Sequence, residues 1–389
     1  MTLDNNKAHE LFNAARNLPP AEREPFLDKE CCVGNASLRE EVESLLRHTP
    51  TSASTVNPMN RATVPSLDFK RGDILGNFKI LSILGEGGMG TVYLAEQTFP
   101  VVRKVALKII KAGKDTKDTI ARFEAERQAL AMMSHPGIAN VFEAGATDAG
   151  RPYFVLEYIK GLPITEACDE RKLNTKQRLE LLAKVCDAVQ HAHNKAIIHR
   201  DLKPSNILVV VSDNGELVPK IIDFGLAKAM SGKLTDKTLV TEVGHFHGTP
   251  AYMSPEQADL NEFDIDTRTD IYALGVITYE LLAGLPPFDP KQLHYAGIEK
   301  RREIICTHLT PRPSTRLSSI EDEEAVSIAV ARQTQIDDLV GVLRKELEWI
   351  PLKALRKLPQ ERYKTAEGMG QDIRRYLNGE ALEAVPESK

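Results

Sequence analysis

The chain has 389 residues, enough for two or three domains. Apolar residues make up 42 % and charged residues 27 %, which excludes disorder over the whole length. A net charge of −5 gives no electrostatic footprint of a nucleic-acid binder, and no apolar run reaches the roughly 18–20 residues of a membrane-spanning helix.

The start, Met1-Thr2-Leu3-Asp4-Asn5-Asn6-Lys7, shows no basic segment leading into an apolar stretch, so no secretory signal is read there. The five cysteines include the adjacent pair Cys31-Cys32 and no C-x-x-C. That usage argues against a zinc site or a disulfide framework, and the expected compartment is a reducing cytoplasm.

Residues 5–47 carry apolar residues at three- and four-residue steps, as in Leu11, Ala14, Ala15 and Leu18, and predict two or three short helices. Ser37 with Glu40 forms a capping-box pattern for the last of them. This 1–47 segment is too small to bury much surface alone. Residues 48–71 are mostly Thr, Ser, Asn and Pro up to Ser66 and read as a flexible linker.

Strand-like runs follow at Phe78–Leu81, Thr91–Leu94, Val105–Ile110, Val141-Phe142 and Tyr153–Leu156, with a helical pattern from Thr119 to Met133. Five strands and one helix make a small antiparallel lobe. From Thr175 onward helices dominate: one through Ala192, one from Asp270 to Ala283 ended by Gly284, then Leu347–Leu358 and Ala366–Leu377. The polar stretch 289–346 has the character of an insertion, read first as a surface elaboration. Bland readings suit several other residues. His191 and His193 stand two apart on one helix and so do not share a face for zinc. His245 and His247 receive no role. Pro311-Arg312-Pro313 reads as a loop, and Trp349 as core between late helices.

The chemistry lies in a few motifs. Gly85-Glu86-Gly87-Gly88-Met89-Gly90 sits between two strands, where backbone N–H groups can approach phosphates with no side chain in the way. Alone it also suits a dinucleotide fold or a plain hairpin, but a strand follows it where a dinucleotide site needs a helix. Lys108 ends Val105-Ala106-Leu107-Lys108, and a lysine on a buried strand is expensive unless its charge is used. Glu126 on the next helix is its expected partner, in preference to Glu124. His199-Arg200-Asp201-Leu202-Lys203-Pro204-Ser205-Asn206 puts an aspartate, a lysine and an asparagine at the spacing that phosphoryl transfer uses. Asp223-Phe224-Gly225 follows, with a carboxylate suited to a hard cation.

With Ser254-Pro255-Glu256 downstream, residues 72–380 resemble a eukaryotic-like serine/threonine protein kinase of the bacterial type. Ser254 stands where that family commonly has alanine. The N-terminal helical piece resembles a segment that precedes the kinase domain in a subset of these enzymes. The resemblance implies an α+β, two-lobed fold: a small lobe over 72–157, a large, mainly helical lobe over 158–380 and a tail over 381–389. It implies ATP and Mg2+, or Mn2+, and protein substrates presenting Ser or Thr. Leu84, Gly85, Gly87 and Gly90 would lie over the ATP. Val92 and Ala106 would cover the adenine from above and Leu208 from below. Glu157 and Ile159 would bond it through their backbones, beside Leu156 as gatekeeper. Lys108, steadied by Glu126, would hold the α- and β-phosphates, and Asn206 and Asp223 the metal. Asp201 would orient the attacking hydroxyl, with Lys203 at the transferring phosphoryl. Asp270 resembles the aspartate that anchors the catalytic loop, and Arg362 the arginine that pairs with Glu256. Lys203 and Thr249 fit the serine/threonine pattern.

The segment from Asp223 to Glu256 contains Ser231, Thr235, Thr238 and Thr241, and Arg200 is the expected partner of a phosphorylated threonine there. Phosphorylation in trans at Thr238 or Thr241, by self-association, is the expected control. Two other classes compete: a non-catalytic kinase fold acting as a scaffold or ATP-binding module, and a small-molecule phosphotransferase. The presence of all six catalytic residues argues against the first. The peptide-platform character of Gly248–Glu256 argues against the second.

Overall fold

The computed structural model describes residues 69–87, 90–110, 133–224, 250–259 and 265–385. The helices expected over 5–47, and nearly all of the one expected from Thr119 to Met133, lie outside these residues.

Six strands form one antiparallel sheet: β1 (Ile74–Leu75), β2 (Phe78–Gly87), β3 (Gly90–Gln97), β4 (Arg103–Ile110), β5 (Val141–Ala146) and β6 (Pro152–Glu157), in the order β1-β2-β3-β4-β6-β5. The five expected strands are all there. The sixth, β1, is a two-residue edge too short for alternation to register. Alternation decides the faces elsewhere. Tyr93, Ala95, Val105, Leu107, Ile109 and Val155 are buried together with Phe78 and Ile80 on one side. Each Phe, Val, Leu or Ile side chain among them contributes on the order of 1.5–3 kcal/mol on burial. The other side of the same strands carries Val92 opposite Lys108, and Ala106 opposite Leu156. The pleat therefore sends the hydrophobic set one way and the candidate site residues the other.

The large lobe begins with β7 (Leu162–Pro163) and α1 (Ile164–Glu170), followed by α2 (Thr175–His193). Asn174 caps α2 by accepting from the Gln177 N–H, while the Gln177 side chain accepts from the Asn174 N–H. The hairpin β8 (Ile207–Val211) and β9 (Leu217–Ile221) pairs with β7. After α3 (Pro255–Ala258) comes α4 (Arg268–Ala283), buried on all sides apart from Glu280 and its first residue. Such a helix belongs at the centre of its lobe. It ends where the sequence placed the stop, at Gly284 with φ +80°, and a Cβ there would lie 2.7 Å from Ile328.

The stretch 289–346 is folded. It forms α5 (Pro290–Tyr295), α6 (Ile298–Thr307), α7 (Pro313–Leu317), α8 (Asp322–Val330) and α9 (Ile336–Val342), then a π-turn over Leu343–Leu347. Leu317, Leu339 and Leu343 join the main core. Arg332, 2 % exposed, donates to the Glu280, Leu281 and Leu282 carbonyls in the last turn of α4, where the Glu280 carbonyl also accepts from the Gly284 N–H. Burial, with Arg178 beside it, lowers its pKa to about 9. The chain closes with α10 (Trp349–Ala354) and α11 (Ala366–Asn378), the latter packed on α2. Trp349 is half-buried, with the Arg312 guanidinium 4.8 Å from its ring.

One buried ion pair ties this C-terminal part to α3. Arg362 Nη1 and Nη2 each lie 2.7 Å from a carboxylate oxygen of Glu256, which also accepts from Thr269 Oγ1 at 2.8 Å. Burial pushes the Glu256 carboxyl up, but the bonds from Arg362 and Thr269 outweigh it and hold the group below its ordinary 4.5.

Two outcomes are expected. Arg362→Ala strands the Glu256 charge and costs about 3–5 kcal/mol in denaturant unfolding at neutral pH. Because the folded-state value is lowered, this pair stabilises above the ordinary carboxylate range, and its contribution is lost as pH falls through the lowered value, so the gap between variant and wild type narrows in acid. Gly90→Ala places a Cβ 2.1 Å from the Ile109 carbonyl oxygen, so β3 and β4 must separate locally; a loss of about 1–3 kcal/mol in the same measurement is expected.

Candidate active site

A cleft of about 710 Å³ opens between the sheet and the large lobe. The end of β2 brings Leu84, Gly85 and Gly87 to its roof, the start of β3 brings Gly90, and β3 and β4 add Val92, Ala106 and Lys108. The end of β6 and the residues after it bring Leu156, Glu157 and Ile159 to the back, and β8 brings Leu208 to the floor. Asp201, Lys203, Asn206 and Asp223 line the same cleft.

The loop bearing Asp201 is held from beneath. Asp270, fully buried at the start of α4, accepts from the His199 N–H at 2.8 Å and the Arg200 N–H at 2.9 Å. His193 Nε2 lies 2.8 Å from the same carboxylate. Burial pushes the Asp270 carboxyl up, yet His193 and the loop amide bring it below its usual range. His199 Nδ1 accepts from the Asp201 N–H at 3.3 Å, so its Nε2 carries the proton and donates to the Ile222 carbonyl at 3.0 Å. The His199 ring also meets Phe224, with centroids 4.7 Å apart. Arg200 and Asp223 both have left-handed backbone, φ +67° and +62°, a strain that the surrounding bonds maintain.

The functional side chains then interlock. Lys203 Nζ donates to Asp201 Oδ2 at 2.7 Å. Asn206 Nδ2 donates to the Asp201 carbonyl at 2.7 Å. The Ile222 N–H donates to the Asn206 carbonyl at 2.9 Å, joining the loops of Asn206 and Asp223. Lys108, 6 % exposed, donates to Asp223 Oδ2 at 2.8 Å. A buried ammonium thus has a carboxylate on it, as its burial requires.

Glu126, Thr235, Thr238, Thr241 and Thr249 lie outside the described residues, as do His245 and His247. Arg200 is described, and its carbonyl accepts from Gln257 Nε2 at 2.7 Å. Sequence reasoning missed Ser205, Ile222, Tyr158 and Lys160 as cleft residues. Each flanks a motif residue, and adjacency was the only signal. Gly161 was also missed: a Cβ there would lie 2.7 Å from the Val209 carbonyl oxygen. His191 sits with its ring 5.0 Å from that of His135, apart from the cleft residues. Among the described residues no group of three or more potential metal-ligating side chains of the His, Cys, Asp and Glu type occurs, and no helix is long and apolar enough to cross a membrane.

The likeness to known proteins follows the same residues. A profile of the protein kinase domain matches residues 78–371. The serine/threonine-protein kinase Pkn1 of Myxococcus xanthus is 34 % identical over 321 residues, covering 82 % of this chain and 41 % of the relative. PrkC of Bacillus subtilis, also a serine/threonine-protein kinase, is 33 % identical over 313 residues, covering 79 % and 42 %. The chain thus spans about two fifths of the length of these curated relatives. The crystal structure of the Mycobacterium tuberculosis PknI kinase domain superposes with a TM-score of 0.54 at 22 % identity, covering 79 % of this chain and 99 % of that one, which speaks for the fold. The cleft, its motifs in order and the match over 78–371 place the chain in the protein kinase family.

Proposed function

We propose that this protein is a serine/threonine protein kinase that transfers the γ-phosphoryl group of ATP to Ser or Thr hydroxyls of proteins. The observation that carries this reading is the convergence of Lys108, Asp201, Lys203, Asn206 and Asp223 on one cleft, joined by the hydrogen bonds described above. The cleft is large enough for a nucleotide, apolar where a base would lie and charged where phosphates would lie.

The roles follow from position. Val92, Ala106 and Leu208 enclose the adenine, and the backbone at Glu157 and Ile159 meets its edge beside Leu156. Leu84 and the glycines at 85, 87 and 90 cover the phosphates. Lys108 gives up Asp223 for the α- and β-phosphate oxygens, with Glu126 as its partner. The substrate hydroxyl oxygen attacks the γ-phosphorus and the bond to the β–γ bridging oxygen breaks, releasing ADP. Lys203 holds Asp201 Oδ2, which leaves Oδ1 to receive the hydroxyl proton, and Lys203 also neutralises the moving phosphoryl. The Asn206 amide N–H groups are taken by Asp201, so this residue offers its oxygen, and Asp223 offers a carboxylate. Hard oxygen donors of this kind suit Mg2+, or Mn2+. When bound there the ion supplies charge neutralisation for the phosphate oxygens.

Activity is controlled by phosphorylation in trans at Thr238 or Thr241 on a second copy of the chain, with Thr235 as a further acceptor. Arg200 engages the phosphorylated group and Thr249 helps seat the substrate residue. The domain division is 1–47, linker 48–71, kinase domain 72–380 and tail 381–389. The described thiols Cys168, Cys186 and Cys306 are free, in keeping with a cytoplasmic setting.

Labelled ATP with Mg2+ tests the reading. Wild type should label itself or a basic protein substrate, and Asp201→Asn should lose at least about a hundredfold of that rate. Unlabelled wild type that still binds ATP would replace the enzyme with a binding scaffold. Thr238→Ala/Thr241→Ala together should lower the rate about tenfold or more, and an unchanged rate would remove these sites from control.

A further inference from the structure

The cleft has an adenine end and a metal end, and the ion pair between Glu157 and Lys220 ties the end of β6 to the strand that leads to Asp223. Glu157 closes β6, and its backbone faces the adenine in the reading above. Its carboxylate points to other partners. Lys220 Nζ donates to Glu157 Oε1 at 2.8 Å. Asn140 donates to Glu157 Oε2 twice, through its N–H at 3.1 Å and its Nδ2 at 2.9 Å. In return the Glu157 N–H donates to the Asn140 carbonyl at 2.9 Å.

Lys220 lies on β9, three residues before Asp223, directly across from the adenine-floor residue Leu208. Opposed residues of an antiparallel pair share a face, so Lys220 projects on the cleft side of the hairpin. The next residue, Ile221, pairs with the stretch leading to Asn140. Its N–H donates to the Gly137 carbonyl at 2.8 Å, and its carbonyl accepts from the Ala139 N–H at 2.9 Å. The bonds form a closed ring: Glu157 to Lys220, along β9 to Ile221, across to 137–139, on to Asn140 and back to Glu157. The ring holds the backbone that meets the base in fixed relation to the strand that delivers Asp223.

We infer that Glu157 and Lys220 are positioning residues for ATP, a clamp that fixes the spacing between the adenine contact and Asp223; this rests on the kinase reading of the cleft. The side chains of Lys220 and Glu157 are only 18 % and 24 % exposed, so solvent screens the pair less than a surface ion pair. The five bonds around it leave little freedom for either partner. Neither side chain touches the hydroxyl-transfer residues Asp201 and Lys203, so the clamp acts on nucleotide binding and not on the transfer step.

The test combines steady-state kinetics with direct ATP binding by calorimetry on the full chain, alongside thermal melts. Lys220→Met should raise the ATP KM and Kd together by about tenfold, the size expected when a charged hydrogen bond is lost. Its kcat should stay within about twofold of wild type. Lys220→Arg keeps the charge and donors and should restore most of the affinity. Glu157→Gln should raise the Kd as well, and the double variant should be no weaker than the poorer single one, as for residues acting as one unit. An unchanged Kd in Lys220→Met, or a lower kcat at constant KM, overturns the clamp. If Lys220→Met does not fold, Lys220→Arg and Glu157→Gln decide through Kd alone. Wild type that binds ATP but transfers no phosphate would sink the kinase reading and leave the Kd comparison to judge the clamp. Wild type that binds no ATP would overturn both.

Discussion

The geometry of the cleft depends on a single buried carboxylate. Asp270 sits at the first turn of the central helix α4 and accepts from two consecutive backbone N–H groups of the loop that carries Asp201. A buried charge so placed is tolerable only with its bonds made, and the two N–H groups are tolerable there only with the charge present. The loop is therefore fixed to the best-packed helix of the lobe. From that anchor the order propagates: His199 reaches Ile222, Asn206 accepts from the Ile222 N–H, and Lys203 fixes the Asp201 carboxylate. The left-handed backbone of Arg200 and Asp223 persists because these bonds over-determine it.

The sheet solves a different problem, that of placing a lysine inside a lobe. The period of two puts Leu107 and Ile109 into the core and Lys108 between them on the cleft face. A one-residue slip of β4 would exchange these faces. Lys108 thus owes its place to its neighbours' hydrophobicity as much as to Asp223.

Much of this was legible in the sequence, and the reason is local. Asp201, Lys203 and Asn206 stand at fixed spacing along a few residues, so order alone brings them to one cleft. Gly284 announced the end of α4 because only its backbone freedom suited the stop. What stayed hidden was of two kinds. Pairs distant in the chain leave no local trace: Glu157 and Lys220 are 63 residues apart, and Glu256 was matched to Arg362 only through family resemblance. Short helices also leave little trace. The pieces of 289–346 run five to ten residues each, two turns or fewer in several cases, so their apolar periodicity is too brief to separate from a polar loop. The buried Arg332 falls within that polar stretch, and it is the residue that seats the segment.

That seating gives the segment a standing different from an ornament on the surface. A guanidinium that fills the open end of α4 belongs to the helix as much as Gly284 does. Excision of 289–346 would remove leucines that complete the main core and uncover the Leu281 and Leu282 carbonyls at the end of α4. Substitutions are therefore expected to be tolerated at its outer turns, while changes at its inner residues should destabilise the lobe as a whole. Any partner that grips the outer turns would be holding the same unit that holds Asp270.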